Sequence, residues 1–191
     1  IINSYNTGKV SSCVLTINSA DVWYCDSYSG GLIGEAKSVV TITNCYNSGY
    51  IYASTESRGG YAFYGGFVGH TYNKGTISNS YNSGNSSGYS DNWKYGGGLV
   101  GYANTTATIS NSYNTGNISG SSAGGLVGYA YSTVTISNSY TNRFARGCGS
   151  GSGKILSSDD MKKQSSYYGW DFDEVWTIDS NINNGYPVLK T

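Results

Sequence analysis

The sequence predicts an all-β chain wound as a parallel β-helix, and three observations carry that prediction. A Gly-Gly-apolar-apolar-Gly box occurs four times, at 30–34, 65–69, 97–101 and 124–128. Twelve residues after Leu32, Phe67, Leu99 and Leu126, the first apolar position of each box, stand Asn44, Asn79, Asn111 and Asn138. Between these landmarks Thr, Ile, Val and Tyr alternate with small polar residues, the period-two pattern of strands. Successive boxes lie 35, 32 and 27 residues apart, so length varies only between each Asn-Tyr segment and the next box. A constant block joined by variable loops reads as a solenoid.

Taken in order, Ile2-Asn3-Ser4-Tyr5-Asn6-Thr7-Gly8 matches the second half of the block without a box before it, so the chain is expected to be cut from a longer protein. Each box then leads through a short strand, Val39-Val40-Thr41-Ile42 in the first unit and Val134-Thr135-Ile136-Ser137 in the fourth. Alternation puts Ile136, Asn138 and Tyr140 on one side and Thr135, Ser137 and Ser139 on the other. Stacked at about 4.8 Å, Ile42, Ile77, Ile109 and Ile136 form a buried column, each contributing roughly 1.5–3 kcal/mol. Tyr5, Tyr46, Tyr81, Tyr113 and Tyr140 form a second buried column on the same inward side, and Asn44, Asn79, Asn111 and Asn138 a hydrogen-bonded ladder at the turn. The box glycines are expected at corners of positive φ.

The repeat region spans residues 1–142, and residues 143–191 read as linker and C-terminal cap. Ser157-Ser158-Asp159-Asp160 opens a short helix ending near Ser165. Trp170 and Trp176 are expected to pack over the last rung, closing an edge that would otherwise invite strand pairing.

Composition narrows the function classes. With 11 basic and 11 acidic residues the net charge is zero, and no Lys/Arg cluster suits a phosphate backbone, so nucleic acid is not an expected partner. No apolar run approaches the roughly 20 residues of a membrane span. Only 12% of residues are charged, against 20 tyrosines and 28 glycines. An average domain is about 25% charged, so this surface must rely on hydroxyls, amides and rings.

The Gly-Gly-Leu-Val-Gly box followed by Ile-x-Asn-Ser-Tyr-Asn-x-Gly resembles the GLUG repeat of bacterial and archaeal surface proteins, including adhesin-like proteins and the repeat regions of some IgA-specific metallopeptidases. The tail, with Gly-Trp-Asp-Phe, Val-Trp-x-Ile and Asn-Gly-Tyr-Pro-x-Leu, is similar to the ending that follows such repeats. The resemblance implies an exported, cell-surface, right-handed β-solenoid serving as a stalk, display rod or adhesive module. Two features depart from the pattern: long aromatic first loops, and Cys45 where Ser is usual.

Catalysis has little to stand on. His70 is the single histidine, has no cysteine or serine motif pointing to it, and occupies the column of Glu35, Tyr102 and Tyr129. Carboxylate pairs on adjacent coils, which polysaccharide cleavage requires, are nearly lacking. Asp171-Phe172-Asp173-Glu174 reads as a solvated cap strand, not a calcium site. The chain is therefore read as no enzyme, with no cofactor and no metal.

Binding is expected at the aromatic loops, whose Trp23, Tyr24, Tyr61, Phe63, Tyr64, Trp93 and Tyr95 should gather on one side, suited to a glycan or an extracellular-matrix protein. The alternative is that these rings fold back over the solenoid flank. The outward array of Thr41, Thr76, Thr108 and Thr135 with Ser78, Ser110 and Ser137 allows an ice-binding face as a minor reading. Cys13 and Cys25 lie in one loop and form a possible disulfide, while Cys45 falls in the outward small-residue column with Ser80, Ser112 and Ser139. The expectation is an extracellular, non-catalytic adhesion or display module. The alternative is a glycan- or substrate-targeting repeat of a larger surface enzyme, and the N-terminal edge leaves self-association into filaments open.

Overall fold

The computed structural model describes residues 1–14, 25–57, 59–142, 151 and 153–190. Among the described residues the strands of the coils stack in parallel into five sheets, each taking one strand from successive coils, and Trp176–Thr177 and Val188–Leu189 pair antiparallel in a sixth. A post-box sheet contains Ile33–Ala36, Val68–Thr71, Val100–Ala103 and Val127–Ala130. An isoleucine sheet contains Val40–Thr43, Gly75–Ser78, Ala107–Ser110 and Val134–Ser137, and a tyrosine sheet runs from Tyr5–Asn6 through Tyr46–Asn47, Tyr81–Asn82 and Tyr113–Asn114 to Tyr140–Thr141 and Lys154–Ile155. The architecture is the expected all-β parallel solenoid.

The segments between Asn-Tyr and the next box are not loops. Each supplies two more strands: one in a sheet of Val10–Val14, Ile51–Thr55, Ser86–Tyr89 and Ile118–Ser119, and one in a pre-box sheet of Ser27–Gly30, Ala62–Gly65, Lys94–Gly97 and Ser122–Gly124. These strands pair in register between coils, as in Ala62↔Lys94 and Gly65↔Gly97. The length differences are absorbed between paired strands.

Two cores result. One joins Ile42, Ile77 and Ile109 to Phe67, Leu99, Leu126 and the valines Val68, Val100 and Val127, with Ile136 packed against it. The other is built around Ile51, Ala53, Ala62 and Tyr64. Tyr64 is fully buried, and its ring spans neighbouring coils: a Cβ at Gly88 or Gly96 would run into the ring, and one at Gly120 into the hydroxyl, which donates to Ser119 O.

Positive φ falls on asparagine, not on the box glycines. Asn3, Asn44, Asn79, Asn111 and Asn138 all lie at φ 44–52°, a left-handed corner that asparagine tolerates better than other side chains. That corner resets the alternation. Cys45, Ser80, Ser112 and Ser139, expected to face outward, are buried, and Cys45 Sγ donates to Thr43 O at 3.1 Å. The tyrosine column in turn stands on the outer face, with Tyr5, Tyr46, Tyr81 and Tyr113 stacked at 5.0–5.2 Å.

The buried amide ladder is consequently the second asparagine of each unit. Asn6 donates to Asn47, Asn47 to Asn82 and Asn82 to Asn114, each at 2.7 Å, and each Nδ2 also reaches the carbonyl two residues on. Of the expected first-asparagine ladder, one side-chain bond forms, Asn111 to Asn79 at 3.3 Å. The second box glycine leaves room for the next coil and for this ladder: a Cβ at Gly31, Gly66 or Gly98 would strike first the carbonyl of Gly66, Gly98 or Gly125 and then the side chain of Asn47, Asn82 or Asn114.

The C-terminal segment closes the solenoid in two ways. The Gly151 carbonyl accepts from Leu126 N and Val127 N, and Lys154–Ile155 extends the tyrosine sheet, so Gly151 and residues 154–155 lie over the last rung. Residues 156–189 then run back along the outer tyrosine column. Trp170 and Trp176 pack there with Tyr81, Tyr113 and Tyr140, not across the open end as expected. The physical reason is the asparagine corner, which exposes a column of rings that only this segment covers. The short helix appears as two 3-10 turns, Asp160–Lys162 and Gln164–Ser166, the first held by Ser157 Oγ accepting from Asp160 N at 3.0 Å.

Candidate functional site

The pre-box and post-box sheets together carry a continuous aromatic face. Two residues before the first glycine of each box, Tyr28, Phe63 and Tyr95 come into register and stack at 5.2 and 5.3 Å. Across the box, the register aligns Glu35, His70, Tyr102 and Tyr129. The two columns meet edge to face, Phe63 and Tyr95 on Tyr102 at 5.4 and 5.0 Å with rings near 81°. This arrangement sets the positive ring edge against the negative ring face. Tyr61 and Trp93 extend the face on one side and Tyr72 on the other.

Stacking decides what a partner can touch. Inner rings such as Phe63 cover each other's faces and are buried, so they present edges. Open ring surface belongs to the margin: Trp93 is 51% and Tyr131 78% exposed. Phenol hydroxyls supply the polar contacts. Burial raises the Tyr95 pKa to about 12, and burial followed by the neighbouring Asp26 carboxylate raises that of Tyr28 further.

His70 sits inside the stack, against Tyr72 at 4.3 Å, Phe63 at 4.9 Å and Tyr28 at 5.5 Å. Only 5% of it is exposed, and neither ring nitrogen meets hydrogen-bond geometry. Burial lowers its pKa from the usual 6.5, with the Asn104 amide and the Glu35 and Asp26 carboxylates pulling the other way. Both acids are occupied in holding the face. Asp26 accepts from Tyr28 Oη at 3.0 Å and Tyr61 N at 2.8 Å, and Glu35 pairs with Lys37 at 3.5 Å. Among the described residues no group of three His, Cys, Asp or Glu is placed to hold a metal, and no helix is long and apolar enough to cross a membrane.

Of the residues singled out from sequence, Tyr61, Phe63, Trp93 and Tyr95 come together here. Tyr64 does not: strand alternation turns it into the second core, where it is fully buried. Trp23 and Tyr24 lie outside the described residues. Tyr28 and Tyr72 belong to the face and escaped sequence reasoning, and Tyr102 and Tyr129, aligned with His70 in the sequence, were not assigned to binding, although the shared offset of Tyr28, Phe63 and Tyr95 from their boxes was a usable signal. Cys13 is an exposed free thiol on the outward side of Val10–Val14. The expected Cys13–Cys25 disulfide is not seen among the described residues. The Cys25 backbone is held instead by Ser57 and Thr55, its N–H donating to Ser57 Oγ at 3.1 Å and its carbonyl accepting from Thr55 Oγ1 at 2.7 Å.

The hydroxyl array is also regular, Thr41, Thr76, Thr108 and Thr135 being in register on the isoleucine sheet. Its hydroxyls partly satisfy one another, as Thr43 and Ser78 do at 3.0 Å.

The sequence profile of the GLUG motif matches residues 64–87 and 94–119. Those two stretches carry the GLUG motif. Each matched stretch begins in a pre-box strand and ends in the first strand beyond the tyrosine sheet, so one motif covers most of one coil. No curated protein sequence matches the chain. Among solved structures, a candidate immunoglobulin A1 protease from Bacteroides ovatus aligns over 99% of this chain with a TM-score of 0.71 at 22% identity. The alignment spans 57% of that protein, so this chain corresponds to little more than half of its length, and the likeness is one of fold.

Proposed function

We propose that this GLUG solenoid is a non-catalytic, extracellular docking module that engages a macromolecular partner through the aromatic face of its pre-box and post-box sheets. The observation that carries the reading is the face itself: ring columns stacked in register across successive coils, with Trp93 and Tyr131 open at its margins. Exposed apolar area bordered by phenol hydroxyls suits an extracellular-matrix protein or a glycan. The non-catalytic reading draws support from the ionisable groups of the face, since His70, Asp26 and Glu35 are all spent on packing or pairing. A second reading, a targeting segment of a larger surface enzyme, is favoured by the fold shared with part of a candidate protease. Both use the same face.

The test is binding of the purified chain to arrays of glycans and matrix proteins, beside Trp93→Ala and Tyr131→Ala variants whose circular dichroism matches the parent. Specific binding that weakens at least about tenfold in the variants is expected. Failure of the folded parent to bind any member, or binding indifferent to both substitutions, would overturn the proposal.

A further inference from the structure

The post-box margin of the aromatic face carries a ladder of its own. The register of the post-box strands, Thr71↔Ala103↔Ala130, brings Tyr72, Asn104 and Tyr131 into one column on three successive coils. The backbone bonds agree: Asn104 N donates to Thr71 O and Tyr131 N to Ala103 O, each at 2.9 Å. The column therefore reads ring, amide, ring. Tyr72 rests on His70 at 4.3 Å and is 39% exposed, Asn104 is half-buried, and Tyr131, 78% exposed, leaves its ring open. Coils rise by about 4.8 Å each, so the two rings lie about 9.6 Å apart along the solenoid with the amide midway.

Charge, chemistry and spacing narrow the ligand. The three residues are uncharged, and Lys37, on the coil before Tyr72, pairs with Glu35 at 3.5 Å, which favours a neutral ligand. Two phenol rings offer apolar faces, and the carboxamide between them offers two donors and an acceptor. A ligand that alternates apolar ring faces with hydroxyls meets both. An extended, cellulose-like β-linked glycan turns each pyranose over relative to the last, so it repeats the same face every second residue, over a length close to two coils. One pyranose then falls on each of Tyr72, Asn104 and Tyr131. An extended peptide strand repeats a face every two residues, about 6.7 Å, and runs out of step with the coils. We infer that the Tyr72–Asn104–Tyr131 column binds a neutral β-linked oligosaccharide lying along the solenoid axis, one pyranose to a coil. This rests on the docking reading of the aromatic face and names the ligand class for its post-box margin.

The experiment is titration of the ¹⁵N-labelled chain with the cellulose and chitin oligosaccharide series, from di- to hexasaccharide, followed by the amide shifts of Tyr72, Asn104 and Tyr131. In at least one series affinity is expected to rise at least about tenfold from the disaccharide to the trisaccharide, the shortest chain that reaches both rings, and to change little beyond it. The maltose series, whose α-links curl the chain, should bind at least about tenfold more weakly. Tyr131→Ala and Asn104→Ala should each weaken the trisaccharide titration at least about tenfold while the rest of the amide spectrum stays unchanged. No shift with either β-linked series, equal binding of the maltose series, or a trisaccharide titration that survives both substitutions would overturn the inference. Binding of an arrayed partner that depends on Trp93, with every oligosaccharide silent, would overturn it too and leave the docking reading standing.

Discussion

Replacing Asn82 by alanine tests whether the solenoid is held by its second-asparagine ladder. The Asn82 carboxamide is fully buried and makes four hydrogen bonds. Nδ2 donates to Gly84 O at 2.8 Å and Asn114 Oδ1 at 2.7 Å, and Oδ1 accepts from Asn47 Nδ2 at 2.7 Å and Gly84 N at 3.2 Å. At about 1 kcal/mol net for each bond, N82A should lose about 4 kcal/mol, because the surviving partners are enclosed and water cannot replace the amide. The matched control is Asn79→Gly. Asn79 has φ 47° and one long side-chain bond, from Asn111 at 3.3 Å, so glycine keeps the corner and should cost within about 1 kcal/mol. Urea unfolding of both variants should be followed by tryptophan emission and by far-UV circular dichroism together, since a repeat array need not unfold in one step. The reasoning is refuted if N82A unfolds within about 1 kcal/mol of the parent, or if N79G costs as much as N82A.

Other consequences are equally open to measurement. Gly96→Ala pushes a methyl into the Tyr64 ring and should destabilise by about 1–3 kcal/mol; a Tyr64→Val change in the same chain should restore part of the lost melting temperature, and the absence of any rescue would show that the clash is elsewhere. Trp176→Ala removes the largest fully buried side chain beneath the C-terminal segment and should cost about 3–5 kcal/mol, with limited proteolysis cutting first within residues 156–189 if the segment detaches before the coils. Because the folded pKa of His70 lies below 6.5, its contribution is full above about pH 6.5 and is lost as pH falls towards the folded value, where only the unfolded chain takes up the proton. Stability should therefore drop between pH 7.5 and 5, and His70→Phe should flatten that drop; an unchanged slope in the variant would assign it to other groups.

The solenoid was legible because its physics is local. A box every 27 to 35 residues with a constant twelve-residue interval to asparagine can be satisfied only if equivalent positions stack, and the Ile42–Ile77–Ile109–Ile136 column follows from alternation alone. The aromatic face was half legible. Tyr61, Phe63, Trp93 and Tyr95 stood out by composition, yet their strands were taken for loops because Gly, Ser and Asn dilute the period-two signal. Tyr64 shows the consequence: one residue from Phe63, it points the opposite way into a second core, and no count of aromatic residues distinguishes the two.

What the sequence determined by itself is therefore the repeat, its parallel stacking, the all-β class and the isoleucine column. What only the tertiary structure decided is which side of the chain each later residue faces. The decision rests on one dihedral per coil: the left-handed turn at Asn44, Asn79, Asn111 and Asn138 shifts the alternation by one, burying Cys45, Ser80, Ser112, Ser139 and the second asparagines while turning the tyrosines outward. Strand periodicity carries orientation only as far as the backbone stays extended. Beyond that corner the outcome depends on contacts dozens of residues away, and here the C-terminal segment, with Trp170 and Trp176 laid along the exposed rings, makes the outward column a stable one.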